Sequence, residues 1–223
     1  MTTPLVLCAA FRKTPPKLQP LLESFFDHSR WAPIVYIGVN DDDLETLVWL
    51  RDMPVEVIVL DSPPRGSAKS LYAVLRRARR DNAPMLVFAD DCEMLTSRYD
   101  EALGDLLRSR AELLFLNDGR KGRDLVCHPL ITPAFFDLCH GWPRVEHYYA
   151  DTWLEATARY ASALRYIPHV TMKHHVAGND DPAYLAHKAA LMEQDRKIFL
   201  DGHAERKLDA LNIRRHNEQH ETS

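Results

Sequence analysis

The sequence predicts an α/β fold: a mostly parallel sheet flanked by helices, with a C-terminal helical extension. Three observations carry this prediction. Short apolar runs alternate with stretches of helical character through the first half of the chain. The runs are continuously apolar and rich in branched residues, as strands covered on both faces are. Proline, glycine, asparagine and aspartate punctuate the joins. Such alternation implies parallel strands with crossover helices, and ligands of these sheets bind beyond the carboxyl ends of the strands.

Taken in order, Pro4 to Ala10 (PLVLCAA) is the first strand, followed by a Pro-punctuated loop and a helix over 17–29. Ile34 to Val39 (IVYIGV) is the second strand. Asn40–Asp43 stands where it can cap a helix over 44–52. Val55 to Leu60 is the third strand, and Pro63, Pro64 and Gly66 break the chain before a long helix over 67–80. Pro84 to Ala89 is the fourth strand and runs directly into Asp90, Asp91, Cys92 and Glu93. The second half is less regular. It reads as a helix over 100–110, a strand over 112–116, a short strand over 124–127, and helices over 132–139 and 151–163. A strand over 164–172 then ends at His174–His175, and 182–200 has helical spacing. Residues 204–223 read as a polar, loosely held tail behind a single domain over 1–203.

With 223 residues, of which 46% are hydrophobic and 27% charged, the chain is long enough for a substantial core. A net charge of -4 argues against an overall basic nucleic-acid binder, though not against a local basic patch. Cys8, Cys92, Cys127 and Cys139 form no CxxC pair and read as free thiols in a reducing compartment. The start lacks a signal-peptide pattern, and the apolar runs fall short of the roughly 20 residues that span a bilayer. The expectation is a soluble, cytoplasmic protein with no membrane partner. Neither a Walker A motif, a GxGxxG after a strand nor a GxSxG elbow occurs. A bound nucleotide must then be held by side chains and a metal.

The stretch FADDCEM, residues 88–94, therefore gains weight. Adjacent carboxylates repel unless a cation or hydrogen-bond donors neutralise them. A hard divalent cation, Mg²⁺ or Mn²⁺, suits one or two carboxylates completed by substrate phosphates. Turn or capping acids are the bland alternative. Glu93 lies two residues beyond Asp91, so either Asp90–Asp91 or Asp91–Glu93 can be the working pair.

Several segments together resemble the GT-A glycosyltransferases, family 2-like and of a compact type common in bacteriophage genomes. These are the first strand with Phe11–Arg12; Arg65, Gly66 and the following helix; FADDCEMLTSRYDEAL (88–103); NDGRKGRDLVCHPLITPAFFD (117–137); HYYADTWL (147–154); and TMKHHVAGNDDPAY (171–184). The similarity covers roughly residues 4–185. It implies a donor half over 1–95 and an acceptor half over 96–203.

What the resemblance implies is a metal-dependent transferase that moves a hexosyl or pentosyl group from a nucleotide-sugar donor, read as a UDP-sugar, to an acceptor hydroxyl. Arg12, Arg65, Asp90 and Asp91 would contact the donor, while Asp91, Glu93 and one of His174 and His175 would hold the metal. Asp151 would be the general base of an inverting reaction, with burial raising its pKa towards working pH; its alternative is a helix N-cap. His128, Tyr148, Tyr149 and Trp153 would line the acceptor side. Arg76, Arg77, Arg79 and Arg80, with Arg120, Lys121 and Arg123, allow a nucleic-acid acceptor such as a hydroxymethylated base in phage DNA, which a duplex must first flip out. Sugar-phosphate nucleotidyl transfer and an inactive binding module are the competing readings.

Overall fold

In a computed structural model, residues 5–11, 15–61, 67–104, 110–120, 123–140, 144–175 and 182–221 are described. The strands are β1 (Val6–Phe11), β2 (Ile34–Asn40), β3 (Glu56–Leu60), β4 (Met85–Val87), β5 (Cys92–Met94), β6 (Leu113–Asn117), β7 (Pro129–Ile131) and β8 (Leu164–His174). The helices are α1 (Pro15–Asp27), α2 (Leu44–Leu50), α3 (Ser67–Ala78), α4 (Tyr99–Gly104), α5 (Pro133–Leu138), α6 (Ala150–Ala161), α7 (Pro182–Asp201) and α8 (His203–Glu221). All eight strands form one sheet in the order β3-β2-β1-β4-β7-β6-β8-β5. Pairing is parallel from β3 through β4 and between β6 and β8; β7 and β5 run antiparallel to their neighbours.

The continuous apolar runs are explained by burial on both faces. Along β1, Val6 and Cys8 face one core while Leu7 and Ala9 face the other. The first core lies under α3, α5, α6 and α8 and includes Val74, Phe135, Trp153 and Ile213. The second lies under α1, α2 and α4 and includes Leu22, Phe25, Leu50 and Tyr99. Gly38 of β2 lets α3 approach closely: a Cβ there would stand 2.6 Å from a Val74 methyl carbon. Asp43 caps α2 as the sequence suggests, accepting from the Thr46 hydroxyl at 3.0 Å.

Three expectations need correction. The short strand placed over 124–127 lies at 129–131 instead. There Leu130 pairs with both Leu86 and Leu114, which bridges the two halves of the sheet. The Val126 amide, by contrast, is held by a side chain, Glu155 Oε2, at 3.3 Å. A second difference is β5, unread because three residues directly after an acidic pair are too few to show a strand pattern. Cys92 and Met94 are buried and Glu93 is half-exposed, the period-two pattern of a strand. Finally, the residues read as a loose tail form α8. Its buried stripe is Arg206, Asp209, Ala210, Ile213 and Asn217. That stripe keeps helical spacing but is largely polar, so hydropathy hides it. Asn217 fastens α8 to the start of β6: its amide donates to the Ala111 carbonyl at 3.0 Å and its oxygen accepts the Ala111 N–H at 2.8 Å. Of the helix expected over 100–110, residues 100–104 lie in α4, 105–109 lie outside the described residues, and Arg110 is not helical.

Candidate active site

The acidic cluster begins in the turn after β4, where the Cys92 amide donates to the Ala89 carbonyl at 3.2 Å. The chain then turns back as β5 and pairs antiparallel with the end of β8, setting Cys92 opposite His174 and Glu93 opposite Lys173. A final backbone bond from the His175 amide to the Asp91 carbonyl, 2.7 Å, closes the pairing. Two segments more than eighty residues apart in sequence thus meet by strand register alone.

This register creates two side-chain pairs. His174 Nε2 lies 3.1 Å from Asp91 Oδ2, and His175 Nε2 lies 2.6 Å from Glu93 Oε2. The four expected metal residues are therefore divided into two pairs, and no group of three or more His, Cys, Asp or Glu among the described residues forms a metal cage. Burial pushes the Asp91 carboxyl up, but the hydrogen bond and charge of His174 outweigh it and hold Asp91 below its ordinary value. The same hydrogen bond raises His174. Asp90 is half-buried in the turn beside them. An oxygen and an imidazole nitrogen of this kind fit a divalent cation whose other ligands come from a diphosphate.

His128 sits behind this pair. It is buried, its ring meets that of His174 edge-on at 4.8 Å, and its Nε2 is 3.3 Å from the Cys92 sulfur. Burial, helped by the charge of His174, pushes the His128 pKa down to about 4, so the ring is neutral at pH 7. On its other side His128 lines a cleft of about 270 Å³. The same cleft is walled by Ala10 at the end of β1, Ser67 and Leu71 of α3, Phe88 and Ala89 after β4, and the segment from His147 to Asp151.

Asp151 stands in the first turn of α6 and lines that cleft. It is not the N-cap; Tyr149 holds that position with φ of 62°, the left-handed region that bulky residues avoid. Asp151 Oδ1 accepts the Thr152 amide at 2.7 Å. Burial raises the Asp151 pKa, with the charge of Glu155 adding to it and the Thr152 hydrogen bonds working against it. A carboxylate at a helix N-terminus with a raised pKa is a poised proton acceptor.

Of the other expected residues, Tyr148 and Tyr149 line the cleft. Trp153 does not. It is fully buried, lying 6.2 Å from the Phe199 ring and under the Arg206 guanidinium at 4.6 Å, and serves as core. Gly202 is moulded to it: a Cβ there would meet the indole at 2.0 Å. Arg12 and Arg65 lie outside the described residues, as does Lys121. Two arginines of the basic helix end are neutralised: Arg77 reaches Glu56 at 3.1 Å, and Arg79 holds Asp137 through two nitrogens at 2.6 and 2.9 Å.

Sequence reading missed three contributors. Asp118, buried after β6, offers its carbonyl to the His174 amide at 3.4 Å. His147 Nδ1 accepts the Ser67 amide at 3.1 Å and lies 2.8 Å from its hydroxyl oxygen, holding the first residue of α3. Asp195 of α7 is fully buried under the loop that leads to Asp151. The Asn117–Asp118–Gly119 turn was a signal for the first; the other two depend on contacts that no local pattern announces.

No family model matches the chain, and no curated protein matches it either. Solved structures do. The mannosyltransferase PcManGT from Pyrobaculum calidifontis, in complex with GDP-Man and Mn²⁺, superposes with a TM-score of 0.63 at 14% identity, covering 94% of this chain and 69% of its own. Glucosyl-3-phosphoglycerate synthase from Mycobacterium tuberculosis, in complex with Mn²⁺, UDP and glucosyl-3-phosphoglycerate, gives 0.60 at 10% identity, over 89% and 79%. TarS 1–349 from S. aureus with UDP gives 0.57 at 12%, over 75% and 60%. A cytidylyltransferase from Leptospira borgpetersenii gives 0.52 at 16%, over 75% and 76%. The fold is thus that of the GT-A type, an α/β sheet shared by these sugar- and nucleotide-handling enzymes. Among the described residues no helix is long and apolar enough to cross a membrane.

Proposed function

We propose that the chain is a metal-dependent glycosyltransferase that moves a sugar from a nucleoside diphosphate donor to an acceptor hydroxyl, with inversion. One observation carries the reading: a desolvated carboxylate, Asp151, opens into the same cleft as the end of β4 and His128, and the His128 ring touches that of His174 in the Asp91–His174 pair. The acceptor proton would thus be handled within the cleft and the donor charge at the pair beside His128.

Asp91 and His174 would hold a divalent cation, which supplies neutralisation of charge on the departing diphosphate. Asp90 would contact the donor ribose. Asp151 would take the acceptor's hydroxyl proton at Oδ1 or Oδ2 as the acceptor oxygen attacks the anomeric carbon. Tyr148 and Tyr149 would wall the acceptor away from water, and neutral His128 would orient groups without adding charge. Transfer to a hydroxymethylated base in DNA is the weaker acceptor class, because Arg77 and Arg79 are engaged by acids.

Sugar-phosphate nucleotidyl transfer is the second reading, since a cytidylyltransferase shares the fold. Incubation with UDP- and GDP-sugars and Mn²⁺ separates the two. Release of nucleoside diphosphate supports sugar transfer; release of pyrophosphate from nucleoside triphosphate and sugar phosphate supports the alternative. No response to any nucleotide sugar, with or without metal, would sink the proposal. Asp91→Ala is expected to abolish metal-dependent donor binding, read by calorimetry.

A further inference from the structure

The loop from Glu146 to Tyr149 sets the entry into α6 and hence the place of Asp151. Three of its amides converge on one carboxylate. Asp195 Oδ1 accepts the Glu146 N–H at 2.9 Å, and Asp195 Oδ2 accepts those of His147 and Tyr148, each at 2.8 Å. The carboxylate is fully buried and belongs to α7, nearly fifty residues away in sequence. One turn further along the same helix, Phe199 stacks on the Tyr149 ring at 5.5 Å and 28°. A single face of α7 therefore grips four successive residues. The last of them, Tyr149, is in the left-handed conformation that a bulky side chain adopts only under external constraint.

The same loop is tied to the start of α3, which also lines the cleft. Glu146 forms an ion pair with Lys69 and accepts the Ala68 amide through its carbonyl at 3.2 Å, while His147 caps Ser67. A helix none of whose described side chains lines the cleft thus holds a segment that does.

We infer that Asp195 is a positioning residue for the transfer reaction: by collecting three backbone amides it holds the 146–149 loop so that Asp151 faces the acceptor. This rests on the reading of Asp151 as the base. An internal carboxylate is a strong acceptor of amide hydrogen bonds, and its loss leaves buried N–H groups unpaired. A displacement of about 1 Å at a reacting group costs on the order of 10²-fold in rate.

Asp195→Asn keeps size and helix propensity but replaces one acceptor oxygen with a donor. Its expected phenotype is a kcat about 10²-fold lower per donor-binding site, counted by calorimetric titration with UDP or GDP and Mn²⁺, with donor KM unchanged. Amide hydrogen exchange at His147 and Tyr148 should accelerate while exchange in β1 and β4 stays as in the parent. A merely structural role would lower the number of donor-binding sites instead and leave kcat per site intact; that result overturns the inference. Unchanged exchange at 147–148 overturns it as well, independently of any activity. If the parent protein transfers no sugar at all, the proposed function fails, and the exchange measurement still decides whether Asp195 holds the loop.

Discussion

Asp151 combines two properties that pull against each other. Buried ionised carboxylates destabilise the folded state, and the raised pKa of Asp151 expresses that cost. Between the unfolded carboxylate value, about 3.9, and the raised native value, the folded chain holds more protons than the unfolded one. Stability therefore falls as pH rises through this window and stays lower above it. Asp151→Asn removes the cost, so it should melt higher than the parent at pH 7, with the difference shrinking as pH falls towards 4 in a calorimetric series. The same substitution should lower transfer by about 10²- to 10⁴-fold, the range of a lost general base, while donor affinity is retained. For the parent, kcat/KM should fall on the acid side at a pH above the ordinary carboxylate range. A gain in stability paired with a loss of rate is the signature of a side chain kept for chemistry.

The elements least legible in the sequence are those whose partners are distant. Strands β1, β2 and β4 announce themselves because they are buried on both faces, and their apolar runs, like that of the more exposed edge strand β3, need no knowledge of neighbours. By contrast β5 has only three positions, one of them the charged Glu93, and its strand character comes from pairing with β8. The acidic cluster was visible, and so were the histidines; that strand register joins them as Asp91–His174 and Glu93–His175 was not. Helix α8 is hidden for another reason: polar residues occupy its core positions, Arg206 lying over the Trp153 and Phe199 rings and Asn217 bonding both backbone groups of Ala111. Asn217→Ala would leave the Ala111 N–H and carbonyl buried without these partners, at a cost of about 1–3 kcal/mol measured by denaturant unfolding. Gly202→Ala would force the α7–α8 corner off Trp153, costing about 1–3 kcal/mol as overpacked sites do. Trp153 itself illustrates the converse difficulty, since an aromatic beside a candidate base looks the same in sequence whether it faces ligand or core.

Across the whole molecule, the two halves of the sheet have different tasks. The parallel half, β3 to β4, delivers the acidic turn at its carboxyl end. The mixed half supplies His128 beside β7, the histidine end of β8, and Asp151 on α6. Strand β7 bridges them by pairing with β4 and β6 at once. Helices α7 and α8 then close the arrangement from outside, α8 by packing on α6 and α7 by gripping the loop before it. The α/β sheet was legible from element order because alternation alone constrains it, and its GT-A type from the resemblance of several segments taken together; how the cleft closes was not, since its walls come from segments that meet only through long-range packing. A fold shared with both glycosyltransferases and a cytidylyltransferase leaves the reaction to be decided by the site. The most direct measurement is calorimetric titration of UDP and GDP into the parent, Asp91→Ala and Asp151→Asn proteins, with and without Mn²⁺. The account predicts metal-dependent binding to the parent and to Asp151→Asn, and none to Asp91→Ala. Equal binding by Asp91→Ala, or no metal-dependent binding by the parent, would contradict it.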